Sequence, residues 1–217
     1  MSTHGYIPDE WIISYAAGQL SDAKSLLVAT HLDFHQELHD KLQTAEVVGG
    51  TLLAERPNET VSEGALDAAL AKIDTLPPTV QSQPEISTPF DTPAPLASYL
   101  GKNLEDLKWG FMGPGMKKVK LWSSADGESF WLLRAKGGTQ IPLHDHRGTE
   151  LTLTLKGSYT VGGRRFKQGD IEIADTAISN HQPMIDEGED CICLVVTDAP
   201  IRLHSMLGRM VQPFIGV

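Results

Sequence analysis

Between Gly138 and Gly157 the chain reads GTQIPLHDHRGTELTLTLKG, a pattern that few folds can accommodate. Side chains alternate faces along an extended strand, so His144 and His146 project to one side and Asp145 to the other. Arg147-Gly148 breaks the alternation, which lets Glu150 join the two imidazoles from the start of the run Leu151-Thr-Leu-Thr-Leu155. A fourth donor has to come from elsewhere, and the candidate is His181 in the polar turn SNHQP after Asp170-Ile-Glu-Ile-Ala174. Three imidazoles and a carboxylate suit zinc, iron, manganese, nickel or copper, so the ligand set leaves the metal open. The plainer alternative is a strand whose histidines only pair with the glutamate.

The rest of the carboxy-terminal half fits around this stretch. Short β runs are expected at 119–122, 129–135, 150–155, 158–161, 170–174, 191–197 and 201–204, with Gly- and Asp-rich gaps such as Ala125-Asp-Gly127 and Val161-Gly-Gly163. Many short strands with turns at this spacing argue for an antiparallel sandwich or barrel. The apolar tail 205–217, which contains Gly208 and Pro213, is expected to close the barrel or pack on its outside. Cys191 and Cys193 share a face of one run, so both point into the barrel or both out of it. The spacing of Gly138, His144, His146, Glu150 and Gly157 resembles the first motif of the cupin superfamily, and Gly169 and His181 stand where its second motif has a glycine and a histidine. The usual proline-glycine pair between those two is missing.

The first 76 residues have a different character. An apolar stripe of Trp11, Ile12, Tyr15 and Ala16 predicts a helix that Asp9 caps and Gly18 ends. A second helix is capped by Ser21 or Asp22 and runs through Leu26, Leu27 and His31, either unbroken to Gly49-Gly50 or broken near Asp33. The capping-box pattern Thr60-Val-Ser-Glu63 introduces a last helix with Leu66, Ala69, Leu70 and Ile73 at helical spacing. Six of the chain's 13 prolines then fall within residues 77–95, a density that favours extended, semi-rigid chain. The reading is an α+β multidomain chain: a small helical domain over 1–76, a proline-rich linker over 77–95 and an antiparallel β-barrel over 96–217. Mild proteolysis is expected to cut the linker first.

Charge narrows the partners. Of the net −10, residues 1–76 contribute −8, with 12 acidic residues against 4 basic ones, whereas 96–217 are balanced at 14 of each. An acidic amino-terminal third repels nucleic acid, whose binding relies on Lys and Arg neutralising phosphates, and suits a basic protein partner. No apolar run reaches the roughly 20 residues of a membrane span, and the start lacks the basic-then-apolar pattern of a signal peptide. Two cysteines make no disulfide framework, which fits a reducing cytoplasm.

An acidic helical domain, a proline-rich linker and a cupin with these ligands together resemble the ChrR-type anti-sigma factors. The resemblance rests on His4, the stretch Asp9-Glu-Trp-Ile-Ile-Ser-Tyr-Ala-Ala-Gly18, Ser25-Leu-Leu-Val-Ala-Thr-His31, Val47-Val-Gly-Gly50, and the barrel with Cys191-x-Cys193. It implies a cytoplasmic, non-enzymatic regulator that holds an extracytoplasmic-function sigma factor and releases it on an oxidative signal such as singlet oxygen or an organic hydroperoxide. Residues 1–76 would bind the sigma factor, and the barrel would sense through zinc on His144, His146, Glu150 and His181, with Cys191 and Cys193 as a redox-sensitive pair. The family's helical domain holds zinc with an upstream histidine and H-x3-C-x2-C. Here that motif reads His31-x3-His35-x2-Leu38, so one cysteine position is a histidine and the other cannot ligate. The resulting expectation is either a second, weaker zinc on His4, His31 and His35, completed by His39, Asp40 or water, or an empty site. A small dioxygenase-like cupin metalloenzyme is the alternative, but it would need no acidic helical appendage.

Overall fold

In a computed structural model that describes residues 5–76 and 91–204, the amino-terminal region forms four helices: α1 (Asp9–Ala16), α2 (Asp22–Phe34), α3 (His39–Ala54) and α4 (Ala65–Asp74). Ser21 caps α2, its Oγ accepting the Lys24 N–H at 3.3 Å. At His35 the backbone leaves the helix (φ −129°, ψ 78°) and a 3-10 turn over Gln36–Leu38 leads into α3. The second helix is therefore broken, and His31, His35 and His39 do not lie along one helix face. Two caps differ from expectation. Pro8, not Asp9, precedes α1, and Asp9 instead pairs with Lys41 at 2.7 Å. Gly64, in the left-handed region at φ 83°, starts α4, and no side chain caps it.

A fifth helix, α5 (Ala94–Leu100), begins two residues before the helical turn expected at Leu96, and Leu96 and Ala97 are buried. It packs on α2. Most of the expected linker, 77–90, lies outside the described residues, as does the tail 205–217.

Eleven strands follow among the described residues: β1 (Gly110–Gly113), β2 (Met116–Ser123), β3 (Ser129–Ala135), β4 (His144–Asp145), β5 (Glu150–Lys156), β6 (Ser158–Val161), β7 (Arg164–Lys167), β8 (Ile171–Ala174), β9 (Met184–Ile185), β10 (Cys191–Thr197) and β11 (Arg202–Leu203). They form a six-stranded antiparallel sheet in the order β1-β2-β3-β10-β5-β8, a three-stranded sheet β7-β6-β9 and the pair β11-β4. Sequence periodicity does not announce β1, β4, β7 and β9: β4 and β9 have two residues each, too few for alternation to register, and β1 (GFMG) and β7 (RRFK) carry no apolar alternation. At the β5–β6 corner Gly157 has φ +70°, and a Cβ there would stand 2.7 Å from the Asp190 carbonyl oxygen, so only glycine fits.

The central strands of the large sheet, β3, β10 and β5, are largely buried on both faces, and their side chains sort by parity. Inward-facing Trp131, Cys191, Cys193 and Val195 pack against Tyr159, Phe166 and Ile185 of the small sheet, which makes the barrel interior. Outward-facing Phe130, Leu132, Leu151, Leu153, Leu155, Ile192, Leu194 and Val196 form one core with Ile12, Leu27, Val28 and Leu32 of the helices. All seven residues of β10 are consequently buried. Lys24 adds an ion pair across this boundary, 2.6 Å from Asp198 and 3.3 Å from Glu128.

Candidate metal centre

Strand pairing places the histidines. The backbones of His144 and His181 exchange hydrogen bonds of 3.1 and 2.9 Å, which brings the SNHQP turn against β4. Asp145, on the opposite face from His144, accepts the Asn180 N–H at 2.9 Å and bonds His204 Nε2 at 2.7 Å. It so fixes Asn180 in the left-handed region at φ 56°, directly before His181.

Three buried imidazoles converge. His144 Nε2 and His146 Nε2 each lie 3.1 Å from His181 Nδ1, and the ligand atoms of all three fit within 4.8 Å. This cluster can hold a metal ion. The outward nitrogens are engaged: His144 Nδ1–H donates to the Pro142 carbonyl at 2.8 Å and His181 Nε2–H to Glu172 at 3.0 Å. Donors held in this way fix ring orientation and leave the opposite nitrogen for a metal. Burial lowers the His144 pKa to about 4, and burial with the neighbouring His181 lowers that of His146, so both rings are neutral and able to ligate. For His181 burial acts the same way, but the hydrogen bond and charge of Glu172 outweigh it and leave the pKa raised.

Glu150 stands at the rim of this group. Its Oε2 is 3.9 Å from His146 Nδ1, the nitrogen turned away from the cluster, and its other oxygen accepts from Thr152 at 3.3 Å. Burial raises its pKa to about 7. Glu172, which sequence reasoning passed over, is the carboxylate closest to the cluster and also accepts the Tyr159 hydroxyl at 2.8 Å. A charged residue between Ile171 and Ile173 was the available signal, since parity turns it into the barrel while its neighbours face out.

A cavity of about 340 Å³ opens on this group, with His144, His181, Glu150, Glu172 and Tyr159 at one end and Met112, Met116, Trp131 and Ile141 among its apolar walls. Cys193 also lines it. Cys191 and Cys193 both face inward, as one shared face requires, and their sulfurs are 3.6 Å apart. The hydrogen bond that the Cys193 thiol makes to Cys191, followed by burial, raises its pKa well above the ordinary thiol range.

The helical histidines are elsewhere. His31 is fully buried, His35 lies at the α2 break with its Nε2 2.9 Å from the Gly169 carbonyl, and His39 Nε2 bonds the Leu32 carbonyl at 3.1 Å. His4 is outside the described residues.

The family model for the ChrR cupin-like domain matches residues 100–200. The anti-sigma-E factor ChrR of Cereibacter sphaeroides is 39% identical over 221 residues, covering 100% of both chains. The chain belongs to the ChrR family of anti-sigma factors. A solved structure of Rhodobacter sphaeroides SigE in complex with the anti-sigma ChrR matches with a TM-score of 0.74 and 38% identity, over 90% of this chain and 98% of that one. Membership in the ChrR family makes this chain a regulator rather than the cupin metalloenzyme, because the likeness includes the helical third that an enzyme would not need. The cupin barrel and the amino-terminal helices that the ChrR resemblance implies are both present. No helix among the described residues is long and apolar enough to cross a membrane.

Proposed function

We propose that this chain sequesters an extracytoplasmic-function sigma factor in the cytoplasm, grips it with residues 1–76, and releases it when an oxidant reaches the barrel. The observation that carries the first part is the unpartnered apolar surface of α3 and α4. Neither helix has a buried residue, and Val47, Val48, Leu52, Leu53, Leu66, Leu70 and Ile73 are all exposed, Leu53 at 71% and Leu66 at 70%. An amphipathic helix with its stripe in water is incomplete without a partner. The full-length likeness to an anti-sigma factor names the partner, and the acidic surface complements a basic one. Co-expression with an extracytoplasmic-function sigma factor of the same organism tests it. The wild type should co-purify with that sigma factor, and a Leu66→Asp, Leu70→Asp variant should lose it, since central apolar anchors are each worth about 2 kcal/mol or more. Undiminished co-purification of the variant would overturn the assignment.

Zinc is the metal proposed for His144, His146, His181 and Glu150, because imidazoles with one carboxylate suit it and the site then needs no redox change of its own. A mostly apolar cavity admits an organic hydroperoxide more readily than a charged metabolite. Inside, a hydroperoxide oxidises the two thiols to a disulfide and departs as alcohol and water. Residues two apart on a strand have Cα atoms about 6.6–6.8 Å apart, at the upper end of what a disulfide spans, so the bond buckles the strand. The other face of β10 carries Ile192 and Leu194 into the core beneath the helices. Peroxide-induced release of sigma should therefore slow in a Cys191→Ser, Cys193→Ser variant. Equal release from both chains would leave the cysteines as packing and move sensing to the metal ligands.

A further inference from the structure

The position of a helical-domain zinc is occupied by the chain itself. His31 has no ring nitrogen to spare: Nε2 accepts the Ile7 N–H at 3.2 Å, and Nδ1–H donates to the Gly169 carbonyl at 2.9 Å. His35 Nε2–H donates to that same oxygen at 2.9 Å, using its second lone pair. The two nitrogens that converge thus meet on a carbonyl oxygen, where a metal shared by them would have to sit. Leu38, at the position of the second cysteine in the family's motif, is buried in the core. The residues described here do not fit a zinc site.

We propose that His31 and His35 form an intramolecular docking site for the β7–β8 turn of the barrel, in place of the metal site. The turn is shaped for it. Gly169 has φ +88°, and a Cβ there would lie 3.1 Å from His35 Nε2 and 3.3 Å from Phe34 Cβ, so only glycine lets the carbonyl approach. Its own N–H is tied to the Thr154 carbonyl at 2.8 Å, and Asp170 caps the Lys167 N–H at 2.9 Å, which hold the turn rigid. One step further, the Ile171 N–H donates to the Gly5 carbonyl at 2.8 Å, so the chain before α1 extends the contact.

This docking ties the helices to the metal centre through one strand. Glu172, next to Ile171, turns inward to His181, while Gly169 and Ile171 turn outward to His31, His35 and Gly5. A shift of Glu172 moves the turn that the helical histidines hold.

The test uses the full chain and a His31→Ala, His35→Ala variant, with metal counted by mass spectrometry and amide exchange followed by hydrogen–deuterium methods. The total in the wild type reports on the barrel; the difference between the two chains reports on the docking site. No difference in metal content is expected, together with exchange at the Ile171 amide faster by roughly tenfold or more, the effect of losing the two hydrogen bonds to the Gly169 carbonyl and the one from Ile7. A metal ion lost with the two histidines overturns the proposal, and so does unchanged exchange at Ile171. Should the double variant fail to fold, His35→Ala alone should speed exchange, whereas His35→Gln, which keeps an N–H donor, should restore protection. Equal protection in those two single variants also overturns it.

Discussion

A His144→Ala, His146→Ala chain should purify without the barrel metal, whereas Glu172→Gln should keep it with affinity lowered about 10–100-fold. The two alanines remove two of the three nitrogens that converge within 4.8 Å, leaving His181 and the more distant Glu150. One imidazole and one carboxylate do not hold a transition metal against a chelator. The glutamine acts one step out: it keeps a hydrogen-bond acceptor for His181 Nε2–H but loses the negative charge that raises the basicity of that ring. Metal analysis of the purified chains, with chelator competition for the milder variant, reads both effects. Undiminished stoichiometry in the double variant would remove these histidines from the site. A Glu172 variant that binds as tightly as the wild type would make that carboxylate a bystander.

Leu27→Ala should destabilise the barrel as well as the helices, by about 2–5 kcal/mol, the range for a fully buried leucine truncated in a packed core. Leu27 is 0% exposed and belongs to the same core as Phe130, Leu132 and Leu194, and α2 packs directly on β10. The sequence reading sets a domain boundary at 77–95, yet α1 and α2 cover the outward face of the large sheet. Truncating Leu27 removes contacts from both sides at once, so protection against amide exchange should fall by the same amount in α2 and in β10. A β10 whose protection is unchanged would mean that barrel and helices open independently. Among the described residues α4 has no share in this core and α3 touches its edge through the partly buried Leu42, so exchange in α4 and in the later turns of α3 should respond to the sigma factor instead.

Much of the barrel follows from local pattern. Period-two alternation places β3, β6 and β10 at the ends observed, because strands of four to seven residues with strong apolar content carry their own signal. The same alternation puts His144 and Asp145 on opposite faces and Cys191 and Cys193 on one. The spacing of His144, His146 and Glu150 marks the metal region without any structure, since those residues are six apart at most.

Other features depended on residues far apart in the chain. His181 joins His144 only because two backbone hydrogen bonds close a gap of 37 residues, and Asp145 positions it through Asn180. Glu172 reads as one polar residue in an apolar strand until the sheet closes and turns it toward His181 and Tyr159. His31 and His35 carry the family's zinc spacing in outline, and the sequence by itself says that two thiolates are gone. What took their place is a carbonyl oxygen of the barrel, 134 residues from His35, delivered by packing α2 on the sheet. Local pattern fixes which side chains share a face; only the burial of two apolar faces against each other decides which faces meet.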